Sequence, residues 1–240
     1  ASSLGITTNE ILESLRQNKP TPIIDEKTFN FSKPFYLIPS SFDEYENLVR
    51  SSAIIFSLLD KCKDFIDSYD NIPIFLSSST GGIRETEFNY IDLVNKKSSY
   101  SVFENHFFNK TSTDIKERYA DGKIGEIFTF STACSSSGHA IYQASRLIRA
   151  GVIERAILIG IDIISKTTLI GFDSLQLVSE KASCPLTEQR DGLTLGEGAG
   201  ILVLENKPRT SSDFEVAGVG SGVDGYHITS PDPSGKNQRK

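Results

Sequence analysis

Cys134 is the residue of this chain best placed for covalent chemistry. It stands in the run Phe130-Ser131-Thr132-Ala133-Cys134-Ser135-Ser136-Ser137-Gly138, where an apolar stretch gives way to small hydroxyl residues and then to a helical pattern. A thiol at a strand-to-helix turn can be aimed into a cleft as a nucleophile. It also lies at the positive end of the helix, where the dipole favours thiolate by roughly 0.3–1 kcal/mol, or up to ~2 kcal/mol when partly buried. Full activation therefore needs an acid/base partner. The other two cysteines, Cys62 in a helical stretch and Cys184 ahead of Pro185, read as small packing residues.

The candidate partners are few. His106 sits in an aromatic stretch with Phe103, Phe107 and Phe108 and reads as structural. His139, five residues past Cys134, turns away from the thiol on a helix and reads as packing, whereas His227 can approach the cleft. The spacing Gly196-x-Gly198-x-Gly200 invites comparison with a nucleotide loop, but it precedes a strand instead of following one and opening a helix. Asp191 and Glu197 are spaced for a carboxylate pair in acid/base or metal chemistry; a structural turn held by Arg190 and the glycines is preferred. No bound cofactor and no metal are expected.

The elements that must position these groups follow an α/β pattern. Apolar runs mark strands at Ile72–Leu76, Glu126–Ala133, Arg155–Ile161, Gly200–Glu205 and Phe214–Val223. The continuous apolar character of Arg155–Ile161 is that of a parallel strand buried on both faces. Helical patterns lie at Asp43–Tyr69, Thr113–Tyr119 and Ser135–Ala150. Alternation of strands and helices implies crossovers and a mainly parallel sheet. In the last helix Ile141, Ala144, Leu147 and Ile148 form the apolar stripe, Arg146 and Arg149 suit the dipole, and Gly151 is the stop. Ser135, Ser136 and Ser137 are expected to cap its free amides. Ser77 to Gly82 forms a small-residue loop after the first strand, and Thr210–Ser212 and Pro231–Lys240 are linker-like.

Composition bounds the function. The chain has 240 residues, enough to bury a large core, and 25 basic against 31 acidic side chains. The net charge of −6 disfavours nucleic acid as a partner. No run is long enough to span a bilayer and no signal-peptide pattern opens the chain. Three widely spaced cysteines without a Cys-x-x-Cys pair indicate neither a disulfide framework nor a zinc knuckle, so a reducing cytoplasm is expected. The absence of methionine and the abrupt start Ala1-Ser2-Ser3-Leu4-Gly5 read as processing or fragmentation.

Three further blocks complete a resemblance. Ser131-Thr132-Ala133-Cys134-Ser135-Ser136, Gly171-Phe172-Asp173-Ser174-Leu175 and Arg190-Asp191-Gly192-Leu193-Thr194-Leu195-Gly196-Glu197-Gly198-Ala199-Gly200 resemble the β-ketoacyl-acyl-carrier-protein synthases, in the elongating ketosynthase branch of fatty acid and polyketide assembly. Asp224-Gly225-Tyr226-His227-Ile228-Thr229-Ser230-Pro231 resembles the loop that opens the family's second half.

The resemblance implies a thiolase-like fold of two αβα halves. Residues 1–209 would be the amino-terminal half, with a mainly parallel central sheet, and 210–240 the truncated start of the carboxy-terminal half. It implies acyl transfer from a carrier-protein thioester to Cys134, then decarboxylating Claisen condensation with a malonyl thioester. By position Cys134 is the nucleophile and its N–H an oxyanion donor, Thr80 gates the acyl pocket, Phe172 lies beside the cysteine, and Thr229 with Ser230 meets the phosphopantetheine arm. That arm arrives on the acyl carrier protein. The partners implied are this carrier and a second ketosynthase subunit, as homodimer or heterodimer. The family's two catalytic histidines and its lysine belong to motifs that do not occur here; His227 matches neither histidine. A non-catalytic partner subunit or scaffold, and an acyltransferase that only loads Cys134, remain the alternatives. The acidic run Ser41–Glu46 stands where the family often presents basic residues to the carrier, leaving Lys61, Lys63, Arg146 and Arg149 as a candidate positive patch.

Overall fold

The apolar runs assemble into one sheet because each offers two faces to bury. A computed structural model describes residues 1–17, 22–38, 45, 48–97, 100–208, 210, 214–227, 230–236 and 239. Strands β1 (Ile72–Ser77), β2 (Ile124–Phe130), β3 (Arg155–Asp162) and β4 (Gly198–Glu205) lie in the order β2-β1-β3-β4. β1 is parallel to both β2 and β3, whereas β4 runs antiparallel to β3. In register, Phe75 stands between Phe128 and Leu158, and Gly160 faces Gly200.

The period-two alternation of a strand sends successive side chains to opposite faces. Ile72, Ile74 and Leu76 with Ile157, Ile159 and Ile161 pack into a cluster with Ile54, Ile55, Leu58 and Leu59 of helix α3 (Arg50–Asp60). Ile115, on a helix spanning Phe108–Arg118, joins the same cluster. On the other face Phe75, Ala156 and Leu158 meet Ala140 and Ala144 of the helix Ser136–Arg149. Helices thus cover both faces of a mainly parallel sheet, the αβα layering expected. A separate cluster gathers Phe29, Phe31, Phe35, Ile164, Leu169 and Val178.

The helix Ser136–Arg149 approaches the sheet closely near its start. A Cβ on Gly160 would lie 2.5 Å from the Ser137 hydroxyl. The Ser77 hydroxyl donates to the Ile159 carbonyl (2.9 Å), so Ser137 is the donor in the 2.9 Å Ser77–Ser137 pair. Ala140 and Ala144, small and fully buried, let the helix lie flat on the strands beyond that point. At its far end Gly151 takes φ +68, and the chain turns as expected.

Several elements differ from expectation. The helix expected over Asp43–Tyr69 is two helices, α3 and α4 (Lys63–Asp67), separated where Lys61 and Cys62 donate to Leu58 and Leu59 in tight i→i+3 turns. Residues 43, 44, 46 and 47 lie outside the described set. Among the described residues the remaining helices are α1 (Thr8–Arg16), α2 (Glu26–Phe29), α5 (Ile83–Val94), α6 (Phe108–Arg118), α7 (Ser136–Arg149) and α8 (Lys166–Ser174), with a 3-10 segment at Tyr100–His106. The Thr7/Glu10 capping box of α1 and the Ser165 cap of α8 are sequence signals that periodicity alone passes over.

Phe214–Val223 is extended but joins no sheet among the described residues. It lies along α7 instead. Arg149 donates to the Val216 and Ala217 carbonyls (2.7 and 3.2 Å), and His139 Nε2 meets the Ser221 hydroxyl at 3.0 Å. Ten helical residues span about 15 Å and five extended residues about 16 Å, so segment and helix run antiparallel in step.

Gly160→Ala should lower unfolding stability by about 1 kcal/mol, because the Ser137 hydroxyl must swing off Ser77. Urea titration of Gly160→Ala and of Gly160→Ala with Ser137→Ala checks this: most of the cost should disappear when Ser137 is already alanine.

Candidate active site

The Cys134 turn is built from serines. Ala133, immediately before the cysteine, takes φ +51, in the left-handed region that side chains rarely occupy. Buried Ser136 holds the turn: its hydroxyl accepts from the Thr132 N–H (2.9 Å) and lies 2.6 Å from the Ala133 carbonyl and 3.2 Å from that of Ser78. Ser135 donates its hydroxyl back to the Thr132 carbonyl at 2.8 Å. The serines therefore staple the turn and do not cap α7, whose N-cap position, Ser135, makes no side-chain capping bond. Among the described residues the amides of Cys134, Ser137 and Gly138 make no backbone hydrogen bond. The thiol, exposed, stands beside donors still open to an anion.

A second loop meets this one. Asp162, at the carboxyl end of β3, accepts from the Ser78 hydroxyl (2.8 Å), the Ser79 N–H (2.7 Å) and the Ser79 hydroxyl (2.8 Å). Ser78 in turn accepts from the Thr80 and Gly81 amides, and the Ser79 hydroxyl lies 3.2 Å from the Ala133 carbonyl. The Thr80 loop is thereby ordered against the Cys134 turn. The Thr80 hydroxyl is buried without a hydrogen-bond partner. Gly82 is required here: a Cβ would fall 1.7 Å from the Asn105 carbonyl oxygen.

Below the loops Glu197 is fully buried, its side chain 0% exposed. Arg50 donates to it through Nε (3.0 Å) and Nη2 (2.6 Å), and Arg84 through Nη1 at 3.3 Å. The Ile38 and Ile164 amides complete its shell at 2.9 and 3.4 Å. Arg190, expected to hold this turn, instead donates to the Thr187 carbonyl, and Asp191 accepts from Ser179. The Asp191–Glu197 pairing does not form. Burial lowers the Arg84 pKa, a fall that the charge of Glu197 opposes. Burial raises that of Glu85, whose Oε1 has no hydrogen-bond partner.

The remaining sequence-predicted residues divide. Phe172, half-buried, packs against the cluster of Phe29 and Phe35. Ser230 is exposed, and Thr229 lies outside the described residues. His106 bonds Thr86 (2.8 Å) and meets Phe107 edge-on, a structural role as expected. His227 is exposed on the segment after Ser221. His139 makes no hydrogen bond to the thiol, as expected, but it is more than a packing residue: its Nδ1 lies 3.0 Å from the Thr132 hydroxyl and 3.1 Å from the Ser135 carbonyl. Cys62 is half-buried against the main core and burial raises its pKa, whereas Cys184 is exposed and not a packing residue. Lys61 and Lys63 belong to the α3 side of the sheet and Arg146 and Arg149 to the α7 side, so they make no single patch. Of the acidic run Ser41–Glu46 only Tyr45 is described. Asp162 was missed; its signal is a carboxylate closing an apolar parallel strand, the end at which open α/β sheets bind ligands.

An exposed thiol on a strained turn, at the start of a helix laid on a mainly parallel sheet, belongs to a thiolase-like α/β framework. The family model described as "Beta-ketoacyl synthase, N-terminal domain" matches residues 76–209, and the chain belongs to that family. It is 40% identical over 118 residues to 3-oxoacyl-[acyl-carrier-protein] synthase 2 of Rhizobium meliloti (strain 1021), covering 44% of this chain and 28% of that protein. It is 29% identical over 185 residues to the protein of the same name from Staphylococcus aureus, covering 70% of this chain and 44% of the relative. The chain thus spans less than half the length of these curated relatives. A ketosynthase in complex with its chain length factor, from Xenorhabdus doucetiae, superposes with a TM-score of 0.82 at 28% identity over 99% of this chain and 63% of its own. A β-ketoacyl synthase from Burkholderia phymatum STM815 shares the fold, with a TM-score of 0.66 at 21% identity over 86% of this chain and 57% of its own. Among the described residues no helix is long and apolar enough to cross a membrane.

Glu197→Ala should cost about 3–5 kcal/mol, since it removes the fully buried charge that two partly buried guanidinium groups share; chemical unfolding measures it. Glu85→Gln should act oppositely. A carboxyl whose pKa is raised by folding favours the folded state only while protonated, so it is a liability above its folded pKa. Thermal melts should show Glu85→Gln more stable than the parent at pH 7, with the advantage shrinking as the pH falls into the carboxylate range.

Proposed function

We propose that Cys134 accepts an acyl group from a carrier-protein thioester, as the nucleophile of a β-ketoacyl synthase. The carrying observation is the exposed thiol beside Ala133 at φ +51, with the Cys134, Ser137 and Gly138 amides open at the start of α7. In this reading the thiolate attacks the thioester carbonyl. The Cys134 amide supports the oxyanion of the tetrahedral intermediate. The bond from the acyl carbon to the phosphopantetheine sulfur then breaks, and that sulfur leaves as thiolate to be protonated. Exchange of one thioester for another conserves its energy and stores the acyl group on the protein.

Condensation follows in the same reading. A malonyl thioester loses carbon dioxide, its carbanion attacks the acyl carbon, and Cys134 leaves. Decarboxylation falls to the two histidines and the lysine that the family carries in its second half, with residues 1–209 forming the first half and 210–240 opening the second. Thr80 gates the acyl pocket; its unpartnered buried hydroxyl supports a selectivity unlike that of an apolar gate. Thr229 and Ser230 receive the phosphopantetheine arm, and Phe172 flanks the site. No resident cofactor or metal is needed, and the protein works in the reducing cytoplasm.

The chain also pairs with a second ketosynthase-like subunit. The Xenorhabdus neighbour is in complex with a chain length factor, which supports a heterodimer. The presence of Cys134 favours the acyl-accepting member of such a pair over a non-catalytic partner.

Incubation of the natively produced protein with acyl-carrier-protein thioesters should add one acyl mass, mapped by peptide sequencing to Cys134. Cys134→Ala should abolish the adduct. An adduct on Cys62 or Cys184 instead, or none at all, would sink the proposal; an adduct without β-ketoacyl product after malonyl-carrier addition would leave only acyl loading.

A further inference from the structure

His139 touches both sides of the nucleophile. Nδ1 lies within hydrogen-bond distance of Thr132 Oγ1 (3.0 Å) and the Ser135 carbonyl (3.1 Å), two residues before and one after Cys134. Nε2 meets the Ser221 hydroxyl at 3.0 Å, on the extended segment 214–227. A carbonyl can only accept, so the ring proton belongs on Nδ1; the neutral ring then accepts at Nε2 from the Ser221 hydroxyl. A charged ring would donate at both positions, so the connection survives either state. Ser221 has no sheet neighbour among the described residues, and the segment is also tied to α7 by the Arg149 bond to the Val216 and Ala217 carbonyls.

We propose that His139 is a positioning residue for Cys134, latching the Thr132–Ser135 turn to Ser221 so that the setting of the thiol depends on where the extended segment lies. The inference rests on Cys134 as the nucleophile. His139 touches no reacting atom; it acts through Thr132 and Ser135. Releasing the latch lets the turn relax around Ala133, whose left-handed backbone needs outside support, and carries the thiol away from the open amides of α7.

The test is alkylation of Cys134 by iodoacetamide at pH 7, followed by mass spectrometry, with exposed Cys184 in the same molecule as the reference. His139→Ala should slow Cys134 by about two- to five-fold relative to Cys184, the factor expected on weakening a helix-terminus interaction with the thiolate. His139→Asn keeps a donor near the Nδ1 position but cannot reach Ser221. It should therefore match Ser221→Ala and lie between the parent and His139→Ala. Adding Ser221→Ala to either histidine variant should change nothing further, a non-additivity that general loosening of the fold does not produce. An unchanged Cys134 rate in His139→Ala, or effects of His139→Ala and Ser221→Ala that multiply, would overturn the latch. Alkylation requires no thioester. Loss of acyl loading with this pattern intact would therefore count against the ketosynthase reading alone, and the reverse against the latch alone.

Discussion

The buried carboxylate of Glu197 is the constraint on which the arrangement of this half depends. It draws together four stretches distant in sequence: the strand-like segment at Ile38, α3 through Arg50, α5 through Arg84, and the chain leaving β3 at Ile164. A lone carboxylate buried this completely would be untenable without the two guanidinium charges. Arg50 also donates to the Ile38 carbonyl, and Arg84 to that of Ile164, so each arginine binds both the acid and the backbone beside it. The apolar layers would tolerate small slides between helix and sheet. This polar node does not, and it fixes where α5 begins and hence where the Thr80 loop lies.

From that node order passes upward to the thiol through progressively smaller groups. Asp162 gathers Ser78 and Ser79, these touch the Ala133 and Thr80 backbones, and Ser136 closes the Cys134 turn. The consecutive serines of this turn serve different elements: Ser135 its own loop, Ser136 the β1 loop, Ser137 the sheet. A strained residue persists where its surroundings over-determine it, and Ala133 is held from three sides.

The strands and α7 were legible because burial on two faces imposes a pattern that local sequence must carry, as in Arg155–Asp162. Cys134 was legible for the same reason: the end of one pattern and the start of the next bracket it. What the sequence hid are pairings across long separations. Glu197 stands seven residues from Arg190 yet bonds Arg50 and Arg84, a choice no local spacing encodes. His139 was read by helical angle from Cys134, which is right about the thiol but silent about Thr132 and Ser221. Phe214–Val223 has strand composition, yet composition speaks of extended backbone and not of a partner, and its contacts here are with side chains of α7.

The antiparallel setting of β4 has a topological consequence. β3 ends at Asp162, and β4 begins at Gly198 directly opposite it, so the excursion from Ile163 to Glu197 leaves and rejoins the sheet at one end. A parallel crossover would have had to carry the chain back across the sheet to the far side. Here α8 and the Arg190–Glu197 block lie between the carboxyl end of β3 and the start of β4, at the end of the sheet from which the Cys134 turn also leaves. A change of length between α8 and the Arg190–Glu197 block would recontour the mouth of the site while leaving strand register untouched.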